Sequence, residues 1–351
     1  MTKFFSDADF IIKITKFLFE KNLMMGNYCP TRESCSTDSS NQGWIITRRI
    51  FLKVSAASLA GLSAAPLSCS PETSSRFGPG TTRFGIVTDS HYADADTIGS
   101  RFYRQSLDKL TECVELMNSQ RVDFLVELGD FKDQDNPPVE QRTISHLRAI
   151  EKIFQQFNGP TYHVLGNHDE DSISKKQFLR HVENTNVDSG RSYYSFDFKG
   201  LHFVVLDANY KADGMDYDHG NFDWTDANVP PSELNWLRQE LIAAPVPIIL
   251  FIHQQLDGLG STYVNNAEDV RRILEQSGKV LAVFQGHHHP GSYSHIGGIH
   301  YYTLKAIVEG IGSENSSYAI VEVRDDHSIA VTGYRKAVSK QLSPAIVTIA
   351  G

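Results

Sequence analysis

Cysteine is scarce in this 351-residue chain: four in all, of which Cys29, Cys35 and Cys69 fall within the first 70 residues. The rest of the chain holds Cys113 alone, which excludes an internal disulfide scaffold there and leaves packing or bound metal to hold the fold. Basic charge is also short, with 33 Lys and Arg against 42 Asp and Glu and a net charge of −9. Residues 1–70 carry eight basic and five acidic side chains, so the remainder carries 25 against 37. A body this acidic is a poor general nucleic-acid binder, because phosphate contacts draw on Lys and Arg. The small-residue apolar run from Val54 to Leu67 has about 14 residues, short of the ~20 that span a bilayer. What is present is ordinary for a soluble globular chain: 40% hydrophobic and 11% aromatic, too apolar for disorder and long enough for a sizeable core.

That apolar run follows Thr47-Arg48-Arg49-Ile50-Phe51-Leu52-Lys53 and precedes Cys69, Ser70 and a polar stretch. The arrangement resembles a twin-arginine export signal, in which the arginine pair is read by the export machinery and the run is removed. The alternative is a short buried helix with a basic cap. Cys69 is a candidate lipid-anchor site, although Pro66 stands in Pro66-Leu67-Ser68-Cys69 where a lipobox usually has Leu. Residues 1–23 carry an apolar helix-like face (Phe4, Phe5, Ile11, Ile12, Ile14, Phe17, Leu18, Leu23), explained by a gene start upstream of the real one at Met24 or Met25. The expected layout is an export signal region (1–70), a linker (71–82), one catalytic domain (83–341) and a C-terminal tail (342–351). An exported protein, periplasmic or at the cell surface, is the expectation.

From Arg83 onward, short apolar runs alternate with segments of helical period. Strands are predicted at Phe84–Thr88, Val122–Leu128, Tyr162–Leu165, Ile248–Ile252 and Val280–Phe284. Helices are predicted at Arg101–Asn118, Ile144–Phe157 and Ser232–Ala243, the last with Ser232 as N-cap after Pro230-Pro231. The segments Tyr193–Phe198, His202–Leu206, His300–Leu304, Tyr318–Val323 and Ile329–Tyr334 read as a second, more antiparallel sheet. Asn209–Val229 is long and non-periodic, a candidate substrate-facing loop.

Each predicted strand of the first group ends in polar residues: Asp89 and His91, Asp130, Asn167 and His168, His253, then His287 and His289. In open α/β sheets such strand ends converge on one site. Carboxylate, imidazole and amide oxygen suit manganese, iron or zinc, and no thiolate demands a soft metal. Singly these clusters are weak signals, since Asp-x-His and Gly-Asn-His are common turns. All five in one order is the specific observation.

The set resembles the calcineurin-like metallophosphoesterase superfamily through Asp89-Ser90-His91, Gly129-Asp130-Phe131-Lys132-Asp133, Gly166-Asn167-His168-Asp169, His253 and Gly286-His287-His288-His289. The resemblance implies an α/β fold, a four-layered α/β/β/α sandwich of two mixed sheets, with two divalent metal ions, manganese first and iron or zinc as alternatives. It implies that Asp89, His91 and His289 hold one metal, Asn167, His253 and His287 the other, and that Asp130 bridges them. His168 would act beside the scissile group, oriented by Asp133, while His288 is no ligand. It further implies in-line attack on phosphorus by a hydroxide that the two cations share. Asp133 stands where purple acid phosphatases place a metal-bound Tyr, so an iron-tyrosinate chromophore is not expected.

Further segments resemble the manganese-dependent ADP-ribose/CDP-alcohol diphosphatases: Arg101-Phe102-Tyr103-Arg104-Gln105-Ser106, Phe203–Ala208, Gly220-Asn221-Phe222, Leu234–Leu237 and Gly291-Ser292-Tyr293. That branch often lacks the first-block histidine, which this chain keeps as His91. Arg101 and Arg104 are candidates to meet a second phosphate, and Tyr103 or Phe222 to stack a base. The expected substrate is a phosphodiester or nucleotide-like diphosphate. The alternatives are a phosphomonoesterase or cyclic-nucleotide phosphodiesterase of the same superfamily, and a non-catalytic metal-binding scaffold.

Overall fold

The computed structural model describes residues 80–343. The readings of the export signal, Cys69 and the gene start, and most of the linker and the tail, lie outside the described residues.

Alternation along the strands produces two sheets with a shared apolar layer. β1 (Thr82–Val87), β2 (Phe124–Glu127) and β3 (Thr161–His163) are parallel. β10 (Ser317–Val323), β11 (Ile329–Arg335) and β12 (Lys340–Leu342) extend that sheet antiparallel from β1, in the order β12-β11-β10-β1-β2-β3. The second sheet contains β4 (Tyr194–Phe198), β5 (Leu201–Val205), β6 (Ile248–Phe251), β7 (Val280–Gln285), β8 (Ser292–Ile296) and β9 (Ile299–Thr303), in the order β4-β5-β6-β7-β9-β8. β5, β6, β7 and β9 are parallel, with antiparallel strands at both edges.

Successive strand residues face opposite sides. Phe84, Ile86, Phe124 and Val126 therefore meet Phe203, Val205, Ile249 and Phe251 between the sheets. Phe84 is central there: its ring stacks on Phe124 at 5.0 Å and meets Phe203, Phe251 and Phe284 edge-on at 5.6–5.7 Å. The outer face of the first sheet, with Val87 and Leu125, is covered by α1 (Ser106–Gln120) through Leu110, Cys113 and Met117, and by α2 (Glu140–Phe154) through Leu147 and Ile150. Short α3 (Lys175–Leu179) adds Phe178. Val204 and Leu250 on the second sheet are covered by α4 (Pro231–Ala243) and α5 (Ala267–Ser277), through Leu237, Leu241, Val270 and Leu274. The result is the expected four-layered α/β/β/α sandwich.

Three expectations need correction. The later segments do not form a sheet of their own: Tyr194–Phe198, Leu201–Val205 and Ile299–Thr303 join β6 and β7, whereas Ser317–Val323 and Ile329–Arg335 join β1. Apolar alternation marks a strand, but not which sheet it enters. The helix predicted from Arg101 starts at Ser106, after a 3-10 turn at Tyr103–Gln105. Pro230, not Ser232, is the N-cap of α4, with Pro231 in the first turn, where its missing N–H costs nothing.

Candidate metal centre

The strand ends of both sheets deliver the polar clusters to one place. Asp89 and His91 follow β1, Asp130 follows β2, Asn167 and His168 follow β3, His253 follows β6, and His287 and His289 follow β7. The backbone is bent to do so: Asp89, His91, Asp130 and His287 all have φ between 44° and 65°, a left-handed conformation that non-glycine residues adopt at a cost. Gly129, at φ 99°, could not carry a side chain, since a Cβ there would lie 2.5 Å from His253 Nδ1. Asp169 then ties the loops together. Its carboxylate accepts from the N–H groups of Asp130 and Phe131 at 3.0 Å and of Gly166 at 2.9 Å.

Asp89, His91 and His289 bring ligand atoms within 4.8 Å of one another, and so do Asp130, His253 and His287. Asp130 Oδ2 stands between the two groups, 3.5 Å from His91 Nε2 and 3.2 Å from His253 Nε2. His289 Nε2 lies 3.5 Å from Asp89 Oδ1 and 3.2 Å from His91 Nε2. Two imidazoles have their Nδ1 atoms turned outward to hydrogen-bond partners, His253 to the Leu128 carbonyl at 2.8 Å and His289 to Glu309 at 2.5 Å, and His91 Nδ1 lies 3.3 Å from the Asp133 carboxylate. That leaves Nε2 aimed inward, as a metal ligand requires.

These donors fit divalent cations. Asp89 Oδ1, Asn167 Oδ1 and His253 Nε2 are buried atoms without a hydrogen-bond partner, a costly condition that a cation would relieve. The electrostatics agree: the cluster draws positive charge to itself. Burial opposes a proton on His253, yet Asp130 and Asp89 outweigh it and raise its pKa to about 10. His289 is likewise raised to about 9 against burial, by Asp89 and Glu309. Against their own burial, Asp89 and Asp130 are held below the usual carboxylate range by the surrounding histidines. His287 goes the other way, down to about 3, through burial and the neighbouring His253.

His168 is set differently from the inward-facing imidazoles. Its side chain is 24% exposed, its ring meets His91 edge-on at 4.7 Å, and its Nδ1 is 3.4 Å from Asp133 Oδ1. Asp133 thus lies between His91 and His168, beside both, and with Asp130 it lifts the pKa of His168 to about 9 in spite of burial. His288, half-buried, belongs to none of the ligand groups.

A cavity of about 520 Å³ opens over the cluster, lined by Arg101, Asp130, Asn167, His168, Trp224, Thr262, His287 and His289. Of the residues expected to contact substrate, Arg101 is in its wall, and Phe222 lies 5.6 Å from His168, ring to ring. Arg104 is elsewhere: its guanidinium pairs with Asp94 at 2.5 Å and Asp96 at 2.8 Å, in a separate outer cavity. Tyr103 is buried in a small cluster with Ala93, Ala306 and Val308. The 209–229 segment does reach the site, through Phe222 and through Trp224, whose ring is 6.5 Å from His287. Sequence reasoning missed Trp224, Thr262, Glu309 and the loop-tying role of Asp169. Only Asp169, inside the Gly166-Asn167-His168-Asp169 block, carried a signal.

Comparison with known proteins gives the same picture. A family model described as calcineurin-like phosphoesterase matches residues 82–291. A manganese-dependent ADP-ribose/CDP-alcohol diphosphatase of Oryza sativa subsp. japonica is 28% identical over 295 residues, covering 71% of this chain and 90% of its own length. One from Arabidopsis thaliana is 26% identical, with 64% and 86% covered. Among solved structures, a dimetal phosphatase from Danio rerio superposes with a TM-score of 0.64 at 20% identity, covering 77% of this chain and 99% of that one, a likeness of fold.

Proposed function

Because the chain belongs to the calcineurin-like phosphoesterase family, whose members its whole donor set resembles, we propose that it is an exported hydrolase of phosphodiesters or nucleotide-like diphosphates, using two manganese ions. Metal-dependent phosphoester hydrolysis is the general activity, supported by the family match and the diphosphatase relatives. The observation that carries the two-ion reading is the Asp130 carboxylate, one oxygen facing His91 on one side and His253 on the other. Asp89, His91 and His289 would hold one cation, Asn167, His253 and His287 the other, with Asp130 shared. Cations bound there supply Lewis acidity toward a phosphoryl oxygen and lower the pKa of water.

The chain's own residues do the rest. His168, kept protonated by Asp133, stands at the cavity wall where it donates a proton to a phosphoryl or leaving oxygen. Arg101 offers a guanidinium to a second phosphate. Phe222 and Trp224 bound the space for the remainder of the substrate, and about 520 Å³ suits a nucleotide-sized molecule. The names of the relatives support a diphosphate substrate. Export rests on Arg48-Arg49 and the apolar run behind them.

The direct test is turnover of bis(p-nitrophenyl) phosphate and of ADP-ribose with added Mn²⁺. Activity should vanish with chelator and fall more than about 100-fold in Asp130→Asn, since even residues behind the ligands cost 10–100-fold. Metal binding without turnover of any phosphoester would leave a scaffold, and release of phosphate from simple monoesters alone would point to a phosphomonoesterase. Arg48→Lys with Arg49→Lys should keep the protein in the cytoplasm; unchanged export would refute the signal.

A further inference from the structure

We infer that Lys109 and Glu309 act as a positioning pair for the first donor set, Asp89, His91 and His289, and set its cation affinity separately from that of the second; the inference rests on the two-ion reading above. Glu309 Oε1 accepts from His289 Nδ1 at 2.5 Å, which fixes the ring and leaves Nε2 free to coordinate. Glu309 belongs to a strap, residues 306–310, bonded to the backbone of the donors themselves. Ala306 N donates to the His289 carbonyl at 3.1 Å, Ile307 N to Thr88 at 3.1 Å and Val308 N to Asp89 at 3.2 Å.

Lys109 pins this strap. It comes from α1, is 1% exposed, and its ammonium donates to the carbonyls of Ile307 at 2.8 Å, Glu309 at 3.2 Å and Gly310 at 2.7 Å. All three of its protons are used, and all on the segment that carries Glu309. A buried ammonium is expensive unless so satisfied, and an apolar residue would fill the same space more cheaply. Among the described residues, no carboxylate holds the Nδ1 of His253 or His287 in this way. His253 Nδ1 is held by a main-chain carbonyl, Leu128, which no side-chain substitution removes. The imidazoles of the two donor sets are therefore backed by different means, a side chain at His289 and the main chain at His253.

Mn²⁺ binding to the metal-free protein tests this, read by titration and by metal content after dialysis. Wild type should bind two ions per chain; a single ion would sink the two-ion reading itself and not merely the pair. Glu309→Ala should weaken one of the two by about tenfold or more and leave the other unchanged, and Glu309→Gln, which keeps an acceptor, should lose less. Lys109→Met should weaken the same ion, and the double variant Lys109→Met/Glu309→Ala should be no worse than Glu309→Ala. Two unchanged affinities in Glu309→Ala, equal weakening of both ions, or additive losses in the double variant would overturn the proposal. Should Lys109→Met fail to fold, the Glu309 variants decide alone.

Discussion

Among the described residues, two of the buried histidine–carboxylate clusters lie beside the first sheet. One is the candidate metal centre. The other surrounds His163 on β3, whose Nε2 is 3.1 Å from Glu151 and whose Nδ1 is 3.7 Å from Glu127. Burial and residue type do not separate them. At His163 a single ring lies between two carboxylates, walled by Phe131, Phe154 and Phe178, and its charge is answered on both sides. At the metal centre several rings turn Nε2 toward shared carboxylates beneath an open cavity, on backbone held at positive φ. A functional cluster is recognised by convergent donors facing a space that a ligand can enter, and not by buried charge.

Substitutions can sharpen that contrast. The largest loss of turnover is expected in His253→Ala, where metal analysis should show reduced occupancy; full occupancy would mean the residue was misassigned. His168→Ala should lower kcat by more than tenfold while metal content is largely kept. Loss of both metals there would contradict a proton-donating role. His163→Phe should leave Mn²⁺ occupancy and kcat nearly intact while unfolding in urea becomes easier by about 3–5 kcal/mol, because two carboxylates lose their buried partner.

The same variant predicts a pH effect. His163 has its pKa raised to about 9, Glu151 and Glu127 outweighing burial, and Glu127 is itself pushed up by burial. The folded state thus binds protons at this pair more tightly than the unfolded chain. The His163 contribution is fully present below about pH 6.5 and is lost as pH rises through about 9. The stability gap between wild type and His163→Phe should narrow from pH 6.5 to pH 9.5. A gap that widens would reverse the assigned charge states.

The sequence exposed the site better than the fold around it. Asp89, Asp130, Asn167, His253 and His287 are legible because each closes a short apolar run, and Asp130, Asn167 and His287 each follow a glycine that the close backbone approach requires. Glu309 was illegible: an isolated acid 20 residues beyond its histidine, recognisable only once β9 has turned the chain back. Helix α5 carries Val270, Ile273 and Leu274 at helical spacing but is short and highly charged, which hides it in the sequence. Arg101 and Arg104 look alike in sequence, and only the structure shows one in the cavity wall and the other engaged by Asp94 and Asp96.

The order of strands has a consequence for how this protein can be made. The second sheet is spelled out between the two halves of the first, so β1 gains its neighbour β10 only after every strand of the second sheet has been made. All seven proposed ligands precede Pro290, yet a ribosome that has released them has not delivered Ser317–Val323, which flanks the strand leading to Asp89. A chain cut after residue 304 would own every proposed ligand but lack both the strand that pairs with β1 and the 306–310 strap that backs His289. The strand that leads to Asp89 is thus flanked on both sides only in a nearly finished polypeptide.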